Sequence, residues 1–186
     1  MPARRPSLVA AAAATPALPR LTTTDAGGDH RTEAGVWLHA AEHDRLDSLA
    51  SYGVLDTARE TTYDALTALA ARLCDTPFAA ITLVDDDREW FKSVHGVEID
   101  QSARSASFCC DVVACGQILA VPDTAASERY RHNPLVTGAP GIRSYLGAPL
   151  VGRDGLPLGA LCVFDRRARS FSPDQVGVLA TLAEQV

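Results

Sequence analysis

Nowhere in the 186 residues does an apolar run approach the roughly 20 residues that span a bilayer, so no membrane helix is read from the chain. A stripe of Lys and Arg interleaved with aromatics is also missing, and the net charge is −6. That argues against nucleic acid or an anionic membrane surface as a partner held by bulk electrostatics. No cysteine pair has the C-x₂-C spacing of zinc motifs, and no histidine stands near Cys109, Cys110 and Cys115 in sequence. The five cysteines are odd in number and form no disulfide framework, which points to free thiols in a reducing compartment. No internal repeat is visible.

The composition, 47% hydrophobic and 22% charged, is that of one globular domain. Residues 1–41 are rich in Ala, Pro, Thr, Arg and Gly without periodicity and read as a disordered leader. Arg4-Arg5 and the alanines from Ala10 to Ala14 loosely mimic an export signal. Pro16 and Pro19 interrupt it before any cleavage site, so a cytoplasmic location is the reading. Order is expected from about Glu42. Leu46, Leu49 and Ala50 mark a helix face that Gly53 stops. Thr57 and Glu60 have capping-box spacing before a second helix through Tyr63, Leu66, Ala70 and Leu73.

Strands are expected at Phe78–Val84 and Glu89–Val94, joined by Asp85-Asp86-Asp87 as a solvated turn. A polar loop, a short helix over Ser107–Cys115 ended by Gly116, and a strand at Ile118–Val121 follow. Ala125–Arg131 reads as a helical turn, and His132–Gly141 as a structured loop. Tyr145–Val151 and Leu158–Phe164 form a hairpin through Asp154-Gly155. The last helix is the clearest: Ser172 caps, Pro173 needs no amide partner, Gln175 completes the box, and Phe171 and Val176 form a staple. Hairpins dominate, so the class is α+β with helices packed on a mixed or antiparallel sheet.

Several stretches in this order resemble the GAF family, in particular GAF domains found beside bacterial diguanylate cyclases and sensor histidine kinases. They are Tyr52-Gly-Val-Leu-Asp-Thr57, Leu66 to Cys74, Ile81-Thr-Leu-Val-Asp85, Arg88 to Ser93 and Ser107-Phe-Cys109. Val121-Pro-Asp123, Asn133 to Gly138, Ile142-Arg-Ser-Tyr145, Gly159 to Asp165 and Leu179 onward complete the series. The resemblance implies a GAF domain over 42–186, with a central six-stranded antiparallel sheet between two helical layers. It also implies a dimer through the first and last helices, and a ligand pocket on the other side. The function implied is an intracellular sensor for an unidentified small molecule, coupled to an output kinase or cyclase.

Within that frame the candidate pocket residues are Trp90, Lys92, Phe108, Cys109, Asp111, Asp123, Asn133, Arg143 and Tyr145. Trp90 and Lys92 share one face of a strand and Phe91 takes the other, which suits either a pocket or a core aromatic beside a solvated lysine. Arg143 either clamps an anionic ligand or pairs with Asp123. If 107–115 is helical, Cys109 and Cys115 lie roughly 120° apart, so the two thiols diverge. Cys109 meeting Cys162 or Cys74 is the candidate redox switch, and a ligand-free dimerisation module is the remaining alternative. Bilin-binding relatives carry a His after their cysteine, whereas Cys109 is followed by Cys110 and Asp111. No bilin, haem or metal is therefore expected. A thiol-dependent methionine sulfoxide reductase of the same fold is the one enzymatic alternative, and the chain is read as non-catalytic.

Overall fold

The computed structural model describes residues 33–186. They form α1 (Glu33–Ser51), α2 (Thr61–Leu73), β1 (Phe78–Val84), β2 (Arg88–His95), β3 (Gln101–Ala103), α3 (Cys109–Cys115), β4 (Leu119–Val121), α4 (Pro134–Thr137), β5 (Ser144–Val151), β6 (Pro157–Asp165) and α5 (Pro173–Ala183). The leader expected over 1–41 lies outside the described residues as far as position 32. From Glu33 the chain is already helical, earlier than the expected start near Glu42.

The six strands form one antiparallel sheet in the order β3-β2-β1-β6-β5-β4. β1 and β6 are central, and every residue of β1 is buried. Both faces of the sheet are thus apolar and each needs a cover. Leu49, Ala70, Ala71, Leu179 and Ala183 bring α1, α2 and α5 onto one face, against Ile81, Leu83, Leu146, Leu161 and Val163. Val112, Val113, Phe108 and Tyr130 cover the other, against Phe78, Ala80, Tyr145, Cys162 and Phe164. No helix among the described residues is long and apolar enough to cross a membrane.

Local chemistry explains most boundaries. Ser172 and Gln175 form the expected capping box of α5 with Pro173 in the first turn. Gly116 ends α3 at φ 62°, the left-handed stop that glycine adopts without strain. The polar loop after Glu98 contains β3, the sixth strand, which is short and exposed and so leaves little hydrophobic pattern. Residues 125–131 form successive turns rather than helix, and α4 is a short helix inside the expected loop.

The capping box at Thr57 and Glu60 is not formed. Glu60 itself precedes α2 and makes no side-chain cap. Both side chains turn instead to Lys92, whose Nζ donates to Thr57 Oγ1 at 2.7 Å and Ala58 O at 2.8 Å and pairs with Glu60 Oε1 at 2.7 Å. Lys92 is 2% exposed, not solvated as one sequence reading had it. A buried ammonium requires all its donors satisfied, and that demand outweighs one helix cap.

Where β1 and β6 pair, Gly159 lies against Thr82 O and Leu83 Cα; a methyl there would sit 2.9 Å from Leu83 Cα and closer still to the Thr82 carbonyl. Gly159→Ala is expected to force the central strands apart and cost about 2–3 kcal/mol. Urea denaturation of the two proteins checks this, and an unchanged midpoint would contradict the strand packing described.

Candidate ligand cavity

The face covered by α3 and α4 is not filled. α3 starts where Phe108 inserts, its ring stacked 5.0 Å from Tyr145 and 4.6 Å from Tyr130. Asn133 caps α4 by accepting from Leu135 N at 2.8 Å, and its Nδ2 donates to Ala106 O at 2.9 Å, tying the α4 loop to the turn before α3. Thr124, fully buried, donates to Ile142 O at 2.6 Å, and Ile142 N donates to Leu135 O. These bonds hold an apolar roof off the sheet and enclose a cavity of about 280 Å³. Its walls are Phe91, Phe108, Leu135, Ile142, Tyr145 and Phe164, with Glu89, Cys109 and Cys162 inside and Glu98 and Arg166 at the rim.

Phe108, Cys109 and Tyr145 therefore converge as expected. Trp90 and Lys92 do not: β2 alternates, and they face the α1/α2/α5 layer. Their neighbours Glu89 and Phe91 face the cavity instead. Asp111 stands behind the wall, accepting from Arg129 Nε at 2.6 Å and from the Tyr130 hydroxyl. Burial first, then that bond, raises the Tyr130 hydroxyl well above its ordinary range. Arg143 grips Asp123 with two hydrogen bonds of 3.0 and 2.9 Å, which lowers the Asp123 pKa. The pairing alternative thus holds for Arg143, and neither Asp123, Arg143 nor Asn133 touches the cavity. The residues missed by sequence reasoning, Glu89, Phe91, Leu135, Phe164 and Arg166, carry one usable signal, the alternation of β2. Alternation could not say which buried face held the cavity.

The model of the GAF domain family matches residues 58–186. The chain belongs to the GAF family. A cyclic di-GMP phosphodiesterase of Pseudomonas aeruginosa is 38% identical over 128 residues, covering 69% of this chain but only 22% of that protein. Among solved structures, the GAF domain of an Acinetobacter phosphoenolpyruvate-protein phosphotransferase superposes with a TM-score of 0.57 at 19% identity, over 77% of this chain and 89% of that one. The type II free methionine-R-sulfoxide reductase of Thermoplasma acidophilum does so with a TM-score of 0.57 at 14% identity, over 67% and 86%. At such identities these two likenesses show the fold alone.

In this GAF domain the thiols are sorted by the sheet. Cys74 is buried on the helical face, 3.8 Å from Gln175 O, so it is separated from Cys109 and drops out as a redox partner. Cys109 shares a hydrogen bond of 3.1 Å with the Tyr145 hydroxyl. Burial, then hydrogen bonding to Cys162, pushes the Cys109 thiol far up, and burial does the same to Tyr145. Cys115 lies on a different face of α3 from Cys109, as the spacing implied, and it is exposed. Alkylation at mildly basic pH is expected to label Cys115 at once in the folded protein, while Cys74, Cys109 and Cys162 react only after unfolding. Peptide mass spectrometry reads this directly, and a Cys109 as reactive as Cys115 would contradict the geometry.

Proposed function

We propose that this GAF domain is a regulatory sensor whose cavity takes a small organic cation, an amine carrying apolar groups, and relays its presence to α1. The observation that carries the reading is Glu89. Its carboxylate is 3% exposed, accepts from Ser102 Oγ at 3.0 Å, and pairs with no cation among the described residues. It stands in a chamber walled by Phe91, Phe108, Tyr145 and Phe164. Aromatic faces and a buried carboxylate together favour a positive, weakly hydrated guest. Arg166 at the rim forms no ion pair with Glu89 among the described residues; its Nε donates to Pro140 O at 2.8 Å and its guanidinium lies 4.8 Å from the Phe78 ring.

A catalytic thiol role is disfavoured because a nucleophile needs a depressed pKa, and burial has moved Cys109 the other way. A second reading, a Cys109–Cys162 disulfide switch, is supported by the two thiols lining the same cavity. Free cysteines throughout support a cytoplasmic, reducing location. The phosphodiesterase relative supports an output in cyclic di-GMP signalling, beside the kinase or cyclase outputs the family resemblance suggested. A homodimer through α1 and α5 belongs to the same proposal, supported by Tyr52 and Val151, exposed apolar residues beside the groove between these helices.

The relay has a physical path. Arg104 lies in the turn before α3, where its carbonyl accepts from Cys110 Sγ at 3.3 Å. Its guanidinium donates to Asp85 O, Asp86 O and, at 2.6 Å, to Glu42 of α1. Glu42 also holds Arg45, which reaches the buried Val84 carbonyl at 2.7 Å. One carboxylate thus ties the cavity roof, the β1–β2 turn and α1 together.

Isothermal titration with benzylamine and benzyltrimethylammonium, against phenylacetate as the anionic control, tests the ligand class. The cations are expected to bind, Glu89→Gln to weaken them by roughly tenfold or more, and phenylacetate to be rejected. Cation binding that ignores Glu89→Gln, or equal binding of phenylacetate, would overturn the reading.

The hydrogen bond from Arg45 holds the Glu42 pKa below its ordinary 4.5. A depressed carboxylate stabilises the fold fully above 4.5 and loses that contribution as pH falls through its lowered value. Acid titration followed by helical circular dichroism is therefore expected to show α1 loosening below pH 4.5, a step absent in Glu42→Gln. A wild-type profile identical to that of the variant would contradict this tether.

A further inference from the structure

Beside the C-terminal end of β6 a second concavity opens, adjoining the ligand cavity at Arg166. The C-terminal turn of α2 and the segment Asp75–Phe78 form one side; the segment Asp165–Arg169, leaving β6 toward α5, forms the other. The cleft has a volume of about 780 Å³, and four arginines border it, Arg72, Arg166, Arg167 and Arg169, against the carboxylates of Asp75 and Asp165. The local excess is positive although the whole chain carries −6.

The four guanidinium groups are not equally committed. Arg169 is built in: it donates to Cys74 O at 3.3 Å and to Asp75 O, approaches Asp165 Oδ2 at 3.5 Å, and rests over the Phe171 ring. Arg166 spends one donor on Pro140 O. Arg72 and Arg167 come from opposite walls, and their side chains make no hydrogen bond or ion pair among the described residues. The cleft's two carboxylates are both turned to Arg169, Asp75 Oδ2 at 3.6 Å and Asp165 Oδ2 at 3.5 Å, and neither pairs with Arg72 or Arg167 among the described residues. Like charges gathered around a concavity repel unless an anion joins them, and guanidinium forks match phosphate oxygens two at a time.

We propose that this cleft is a binding site for a small phosphate-bearing molecule, a nucleotide or a polyphosphate, held between Arg72 and Arg167 with Arg166 in support. The site is independent of what the ligand cavity holds, although Arg166 borders both. Occupancy bears on α5. Arg169 and Gln175 both bond to Cys74 O, at 3.3 and 2.8 Å, so an anion that draws the two walls together stiffens the first turn of α5 against α2.

Binding of fluorescently labelled ATP to the full chain, followed by anisotropy, is the test, with tripolyphosphate as competitor. Saturable binding that weakens with salt is expected, with displacement by tripolyphosphate if phosphates carry the affinity. The double variant Arg72→Ala/Arg167→Ala should lose roughly tenfold or more in affinity. Arg153→Ala, an exposed arginine of the β5–β6 turn outside the cleft, should bind as wild type. The substituted side chains are on the surface, so thermal melting should match wild type in every variant. No saturable binding, binding that tripolyphosphate fails to displace, or equal loss in Arg153→Ala and the double variant would overturn the site.

Discussion

The central strands β1 and β6 are apolar on both sides, and the rest of the molecule follows from the need to cover each side. Burial of apolar area is worth about 25 cal/mol per Å², so neither face could be left to water. One face receives three helices whose small residues, Ala70, Ala71 and Ala183, let them settle closely onto the strands. The other receives only the short α3, the four-residue α4 and a run of turns. Short irregular elements cannot tile a flat sheet as long helices do, and the shortfall is the cavity. Its walls are aromatic because large rings are what bridge the gap from both sides.

Polar groups driven inward by this arrangement carry the connections between layers. Lys92 fastens the linker between α1 and α2 to the sheet, and Thr67, Ser93 and Asp64 form a chain of hydrogen bonds from α2 to β2. Arg45 does the same for α1 by reaching a strand carbonyl. Such groups are costly to bury and more costly to leave unmatched, so each one fixes the placement of an element. Glu89 stands apart from them: it lies inside the aromatic chamber, accepts from the Ser102 hydroxyl, and forms no ion pair among the described residues.

Periodicity and end signals made much of the fold legible from the residues. The α5 capping box, the stop at Gly116, five of the six strands and the β5–β6 hairpin all stand where the pattern put them. β3 was hidden because three exposed residues produce no alternation worth reading. The α2 cap misled because Thr57 and Glu60 have the right spacing, and only the fold shows Lys92 competing for both. The site was legible in part. Phe108, Cys109 and Tyr145 come from elements whose buried side could be assigned, whereas Trp90 and Lys92 sit on a strand with two buried faces. Choosing between those faces needs the layer order, a property of the whole chain. Asp111, Asp123, Asn133 and Arg143 were polar enough to suggest ligand contacts, and the structure spends them on one another or on the loops that frame the cavity.

Arg104 and Glu42 join the cavity roof to α1. Hydrogen exchange read by mass spectrometry, on wild type and on Glu42→Ala, tests this joint most directly. If the joint is real, the substitution raises exchange in α1 and also in the roof from Arg104 through α3, two segments far apart in sequence. Faster exchange confined to α1, with the roof as protected as in wild type, would contradict it.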